Sequence, residues 1–201
     1  MERFQRLDAV AVPVDAPNVD TDQIVPARFL RKSRKDGFGN YLFHDLRFDD
    51  AGRERPDFVL NREPFRGARV VVAERNFGCG SSREHAVYAL YDYGVRAVIA
   101  PSFGDIFFNN SFKNGLLPIV LPAEAAAGLR AALHRQPGTR IAVDLEGQQV
   151  IGPDGAAHRF EIDPFRKHCL LQGVDEIEFT LGFAERIAGF EAAQARALPW
   201  L

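Results

Sequence analysis

Cysteine is scarce in this sequence of 201 residues, with Cys79 and Cys169 its two examples. Two thiols cannot build a disulfide framework or a four-thiolate metal site. The five histidines, at 44, 85, 134, 158 and 168, are scattered, and none pairs with another at helical or zinc-finger spacing. No metal or cofactor site made by this chain alone is therefore expected. Met and Trp occur once each. Nowhere does an apolar run approach the roughly 18 residues that cross a membrane. The opening stretch MERFQRLDAVAVPVDAP carries acidic residues and no apolar run of signal-peptide length. Charge of one sign is also missing: 25 basic and 27 acidic side chains leave a net charge of −2. That balance gives no electrostatic reason to expect nucleic acid or an anionic membrane as partner. A reduced, cytoplasmic compartment is the expectation.

The material for a core is present. Hydrophobic residues make up 46% of the chain and charged residues 26%, and Phe occurs 17 times. This is the mix of an ordinary globular chain, not of a disordered, collagen-like or coiled-coil one. The length suits one domain spanning 1–201 with a helical extension from about residue 174.

Residues 7–14 read as a short strand, placed near a sheet edge because Pro13 cannot donate to a ladder. Residues 18–35 open with cap signals and turn basic, which suggests a short helix and then a loop. Residues 36–58 are rich in Gly, Asp and Arg and read as irregular and mobile. The clearest pattern follows. ARVVVAER (68–75) and RAVIAPS (96–102) are apolar throughout their centres, as strands buried on both faces are. Between them lie a Gly-rich turn (76–82) and a helix (83–94) closed by Gly94, which predicts a parallel pair with a right-handed crossover. A helix (103–115), a strand (116–122) and a helix (123–135) continue the alternation. Beyond Pro137, residues 139–162 read as short strands with a turn at 153–155. A helix over 163–173, capped by Asp163, and helical periodicity over 174–199 complete a mixed α/β pattern.

The chemistry concentrates in the turn NFGCGSSRE (76–84). Gly78 and Gly80 allow close backbone approach, and a helix start offers unpaired N–H groups and a positive dipole end. Arg83 adds a planar fork for a carboxylate or phosphate. Simpler readings compete. Ser81 and Glu84 form S-x-x-E, a capping box in which Ser81 only closes the helix. Cys79 suits a small buried filler, although a helix start with His85 nearby also allows a Cys–His hydrolase. The dinucleotide fingerprint fails, because G-C-G is followed by S-S-R. A phosphate loop fails for want of Gly-Lys-Ser/Thr.

Three stretches together carry a resemblance: N-F-G-C-G-S-S-R-E-H-A (76–86), N-V-D-T-D-Q-I (18–24) and N-G-L-L-P-I (114–119). They resemble the small-subunit family of bacterial 3-isopropylmalate dehydratases, itself similar to the swivelling domain of aconitase. The likeness covers nearly the whole chain in the same order. One departure is Val87-Tyr88, where members often have Pro-Trp at a packing position. The resemblance implies an aconitase-like swivelling domain, three-layer β/β/α with a mixed sheet. It implies a large-subunit partner that holds a [4Fe–4S] cluster, and a small dicarboxylate substrate. The reaction would interconvert 2-isopropylmalate and 3-isopropylmalate in leucine biosynthesis.

By the same resemblance Ser81 is the base, acting as an alkoxide, and Ser82 and Arg83 hold a substrate carboxylate. Asp22 orders a hydrogen-bond network near the base. Arg34 falls where aconitase has a second carboxylate-binding arginine, with Arg31, Lys32 and Lys35 within reach; a solvated basic loop is the plain alternative. The loop around 28–42 is expected to select the alkyl group, with Phe38, Tyr41, Leu42 and Phe43 as its apolar cover. Rival functions are a related hydro-lyase acting on citramalate or a homoaconitate-type substrate, a non-enzymatic anion-binding module, and the Cys79 hydrolase.

Overall fold

Short valine- and alanine-rich runs set the frame in the computed structural model, which describes residues 1–198 and 200. The strands are β1 (Arg6–Val14), β2 (Val70–Ala73), β3 (Ala97–Ala100), β4 (Leu117–Val120), β5 (Arg140–Asp144), β6 (Gln149–Ile151) and β7 (Ala157–Arg159). They follow the order β4-β3-β2-β1-β5-β6-β7, with β1 to β4 parallel and β5 to β7 antiparallel. Every residue of β2 and β3 is buried, which explains their unbroken apolar sequence.

β1 serves two pairings in succession. Residues Arg6 to Val10 pair with β5, and Ala11 to Val14 pair with β2. The placement of β1 at a sheet edge is thus corrected: it is the hinge strand of a mixed sheet. Pro13 is tolerated because Ala11 N–H donates towards β5, to Thr139 O at 3.2 Å. Two residues on, the Pro13 nitrogen points the same way, past the end of β5, where no acceptor asks for a donor.

The helices are α1 (Thr21–Ile24), α2 (His44–Arg47), α3 (Glu84–Tyr93), α4 (Asp105–Lys113), α5 (Ala123–Arg135), α6 (Pro164–Gln172), α7 (Glu176–Leu181) and α8 (Ala184–Ala197). Strand residues alternate between two cores. Val12, Val71 and Val98 meet Ala86, Val87 and Leu90 of α3 on one face. Val70, Val72 and Ile99 meet Leu129 and Leu133 of α5 and Leu170 of α6 on the other. Asp163 caps α6, accepting from Arg166 N–H at 3.0 Å. α7 and α8 bury no residue, and Phe179 touches Phe165 edge-on at 4.9 Å between ring centres. The helical reading to residue 199 ends on Pro199, which lies outside the described residues.

The 36–58 stretch is irregular, as expected, yet it is anchored instead of loose. Phe38, Leu42 and Phe43 are essentially inaccessible. Arg47 is buried, its Nε donating to Asn61 Oδ1 at 3.2 Å, while Asn61 Nδ2 donates to Arg47 O at 2.7 Å. Burial pushes the Arg47 guanidinium down from its usual range. Gly39 lies directly on α3: a Cβ there would sit 2.5 Å from Tyr93 N and 2.7 Å from Asp92 C. Backbone atoms cannot yield as a side-chain tip can. Gly39→Ala is therefore expected to cost roughly 1–3 kcal/mol, the usual range for overpacking. Chemical denaturation measures this, and an unchanged midpoint contradicts the tight contact.

Candidate active site

Loops leaving the carboxyl ends of β1, β2 and β3 meet at one place, the position where open α/β sheets bind ligands. Their contacts are main chain to main chain. Gly78 N–H donates to Val19 O at 2.7 Å, and Thr21 N–H donates to Cys79 O at 2.9 Å. On the other side Phe77 N–H donates to Ser102 O at 3.1 Å, and Gly104 N–H donates to Phe77 O at 3.0 Å. Side chains larger than hydrogen do not fit this stack. A Cβ on Gly78 would lie 2.3 Å from the Phe107 ring, and one on Gly104 would lie 2.6 Å from Gly78 O. Gly78 and Gly80 also adopt φ of +72° and +94°, where L side chains are strained.

This stack places the expected residues. Asp20 caps α1 by a capping box, accepting from Gln23 N–H at 2.7 Å. Thr21 Oγ1 donates to Ser81 O at 3.2 Å, so α1 and the turn are tied together. Asp22, one residue on, is exposed and accepts from Arg83 Nη1 in an ion pair. Ser81, Asp22 and Arg83 are thus brought together, with Ser82 between Ser81 and Arg83. Both serines are exposed.

The capping-box reading of Ser81 is overturned. The first helical residue of α3 is Glu84, its N-cap is Arg83, and no side chain caps it. The Glu84 carboxylate instead accepts from Asn114 Nδ2 at 2.8 Å. Ser81 Oγ has no hydrogen-bond partner among the described residues, and the chain runs from Ser81 through Ser82 and Arg83 into the start of α3. The Cys–His pairing is not assembled either. Cys79 Sγ points to Asn18 O at 3.5 Å, whereas the His85 ring packs on Phe38 and Tyr88 at 5.6 and 5.5 Å.

Arg34 lies against a later part of α3. Its Nε and Nη2 grip Asp92 at 2.9 and 2.7 Å, and its guanidinium covers the Tyr88 ring at 4.4 Å. It makes no contact with Asp22, Ser81 or Arg83 among the described residues. Arg31, Lys32 and Lys35 are exposed. Phe38, Leu42 and Phe43 belong to the core and Tyr41 stacks on Phe29 at 4.3 Å, so the proposed apolar cover from these residues is corrected. A mainly apolar cavity of about 280 Å³, lined by Val14, Val19, Phe43, Leu46 and Phe58 among others, contains none of the turn residues. Gly80, Ser81 and Ser82 of the turn are exposed.

Sequence reasoning missed three positioning residues. Thr21 and Asn114 stand inside stretches already singled out, but only the folded chain shows their partners. Gly104 carried no signal, because its neighbour Gly78 is 26 positions away.

The match to known families follows this geometry. Residues 1–124 match the aconitase C-terminal domain and residues 127–164 match LeuD_N. The chain thus belongs to the aconitase C-terminal domain class. The 3-isopropylmalate dehydratase small subunit of Rhodospirillum centenum is 54% identical, covering 100% of this chain and 98% of that one. That of Parvibaculum lavamentivorans is 51% identical with 100% of both chains covered. The crystal structure of 3-isopropylmalate dehydratase (leuD) from Methanocaldococcus jannaschii superposes with a TM-score of 0.65 at 25% identity, over 92% of this chain and 99% of that one. The chain belongs to the family of 3-isopropylmalate dehydratase small subunits. Among the described residues no helix is long and apolar enough to cross a membrane.

Arg83 spends only Nη1 on Asp22 among the described residues, which leaves the Nε–Nη2 edge for an anion. Lys cannot offer that edge. In the assembled enzyme Arg83→Lys is expected to lower kcat/KM by roughly 10- to 100-fold, the worth of a charge-assisted hydrogen bond. Tyr91→Phe, further along α3, is expected to leave it within about twofold, since distant surface changes couple weakly. Equal small effects of both changes would remove Arg83 from the site.

Proposed function

We propose that this chain acts as the small subunit of a hydro-lyase that interconverts 2-isopropylmalate and 3-isopropylmalate, with Ser81 as its base. One observation carries the reading: Ser81 is exposed and its Oγ unpartnered among the described residues, in the turn that leads through Arg83 into the start of α3. A free serine is far too weak an acid to serve as an alkoxide. A helix start and a guanidinium stabilise the anion where it forms.

The reaction removes a proton from carbon next to a carboxylate and loses a hydroxyl. Ser81 takes the proton and becomes neutral; the C–H electron pair forms the double bond as the C–O bond breaks and its pair leaves with hydroxide, which a Lewis acid on the partner subunit would accept. On rehydration hydroxide adds to the neighbouring carbon, the double-bond pair takes the proton back from Ser81, and the alkoxide is restored. Ser82 and the open edge of Arg83 hold one carboxylate, and Asp22 keeps the Arg83 fork oriented. Arg34 holds a second carboxylate through the nitrogen it does not spend on Asp92. The loop around 28–42 selects the alkyl group, through residues other than its buried Phe38 and Leu42.

A [4Fe–4S] cluster does not fit this chain's own residues. Such a cluster takes several thiolates at one place. Cys79 is in the turn and Cys169 is buried on α6, and no metal-binding group of His, Cys, Asp or Glu exists among the described residues. The cluster belongs in this reading to the large subunit, which closes over the exposed turn.

Ser81→Ala tests the proposal in the assembled enzyme. Turnover should fall roughly 100-fold or more, the usual loss with a general base. Subunit association should persist. Stability should also hold, because no cap of about 1 kcal/mol is being removed. A variant that retains more than about a tenth of the rate would reduce Ser81 to a surface hydroxyl.

A further inference from the structure

Asn114 sits at the end of α4, in the N-G-L-L-P-I stretch that the proposed chemistry does not use. Its amide spends both hydrogens. Nδ2 donates to Asn110 O at 2.9 Å within its own helix, and to Glu84 Oε1 at 2.8 Å across to α3. Glu84 is the acidic residue of S-x-x-E, and its side chain has two uses to choose between. It can reach back to Ser81 N–H while Ser81 Oγ accepts from Glu84 N–H, which closes a capping box. Or it can turn to Asn114. The structure shows the second state: α3 starts at Glu84, uncapped, and Ser81 Oγ is unengaged among the described residues. Burial pushes the Tyr88 phenol up, and the Glu84 carboxylate beside it adds to the shift.

We infer that Asn114 is a positioning residue that draws Glu84 away from Ser81, keeps α3 from winding back over the turn, and so leaves the Ser81 hydroxyl free to react. The inference rests on the reading of Ser81 as base. Without Asn114 the S-x-x-E sequence follows its local preference, the helix lengthens, and the hydroxyl becomes a cap acceptor.

The test uses the assembled enzyme and four variants. Asn114→Ala should lower kcat about fivefold to tenfold, the population shift produced by one capping interaction of ordinary strength. KM should stay within about twofold, because substrate contacts are untouched. Asn114→Asp, which keeps the shape and repels Glu84, should behave alike and guards against a packing defect in the alanine variant. Glu84→Ala alone should keep most of the wild-type kcat. Combined with Asn114→Ala it should restore kcat, since no capping box can then form. Amide exchange at position 84 should slow in both single Asn114 variants and return to normal in the combined one. Unchanged kcat and exchange in the Asn114 variants overturns the inference, as does a combined variant no better than Asn114→Ala. Ser81→Ala measured alongside separates the two ideas. If it stays active, the base assignment fails, and slowed exchange at Glu84 still reports whether Asn114 holds the carboxylate.

Discussion

Main-chain contact across three loops governs this molecule. The turn after β2 lies between the loops after β1 and β3, with hydrogen bonds of 2.7 to 3.1 Å on both sides. Gly78 and Gly104 make that possible by having no Cβ where Phe107 and Gly78 O lie. Backbone positions the site, so the side chains of Ser81, Ser82 and Arg83 are not needed to hold it and remain available for chemistry. A site built from side-chain packing would have buried its hydroxyls.

The same arrangement explains why the site is incomplete. Residues 80–82 are exposed, and the ion pair that reaches the turn is Asp22–Arg83, with the carboxylate half in solvent. An exposed pair of this kind contributes little to folding. Its value lies in holding a guanidinium fork in one orientation before an anion arrives. In the reading proposed above, the facing half comes from the partner chain.

Much of the fold was legible because local and global signals agree. The unbroken Val70-Val71-Val72 run demanded a strand covered on both faces, and it has one. Gly94 and Asp163 marked helix ends that the structure reproduces. What was illegible depends on partners distant in sequence. Pro13 suggested an edge, yet a central strand accepts it where β5 stops. Glycine and charge suggested a loose 36–58 segment, yet Arg47 and Asn61 pin it from 14 positions apart. The S-x-x-E pattern suggested a cap, and Asn114, 30 positions away, takes the carboxylate instead. Arg34 was marked by its place in a resemblance, and Asp92 holds it in this chain.

The most direct measurement is a structure of the assembled two-subunit enzyme with an unreactive dicarboxylate substrate analogue bound. We expect Ser81 Oγ about 3–3.5 Å from the carbon that loses its proton, the distance of a near-attack arrangement. We expect the Nε–Nη2 edge of Arg83 on a carboxylate of the analogue, with Asp22 still on Nη1. An analogue seated away from the 76–83 turn, or one that places another side chain of this chain against that carbon while Ser81 caps α3, would contradict the assignment of the site.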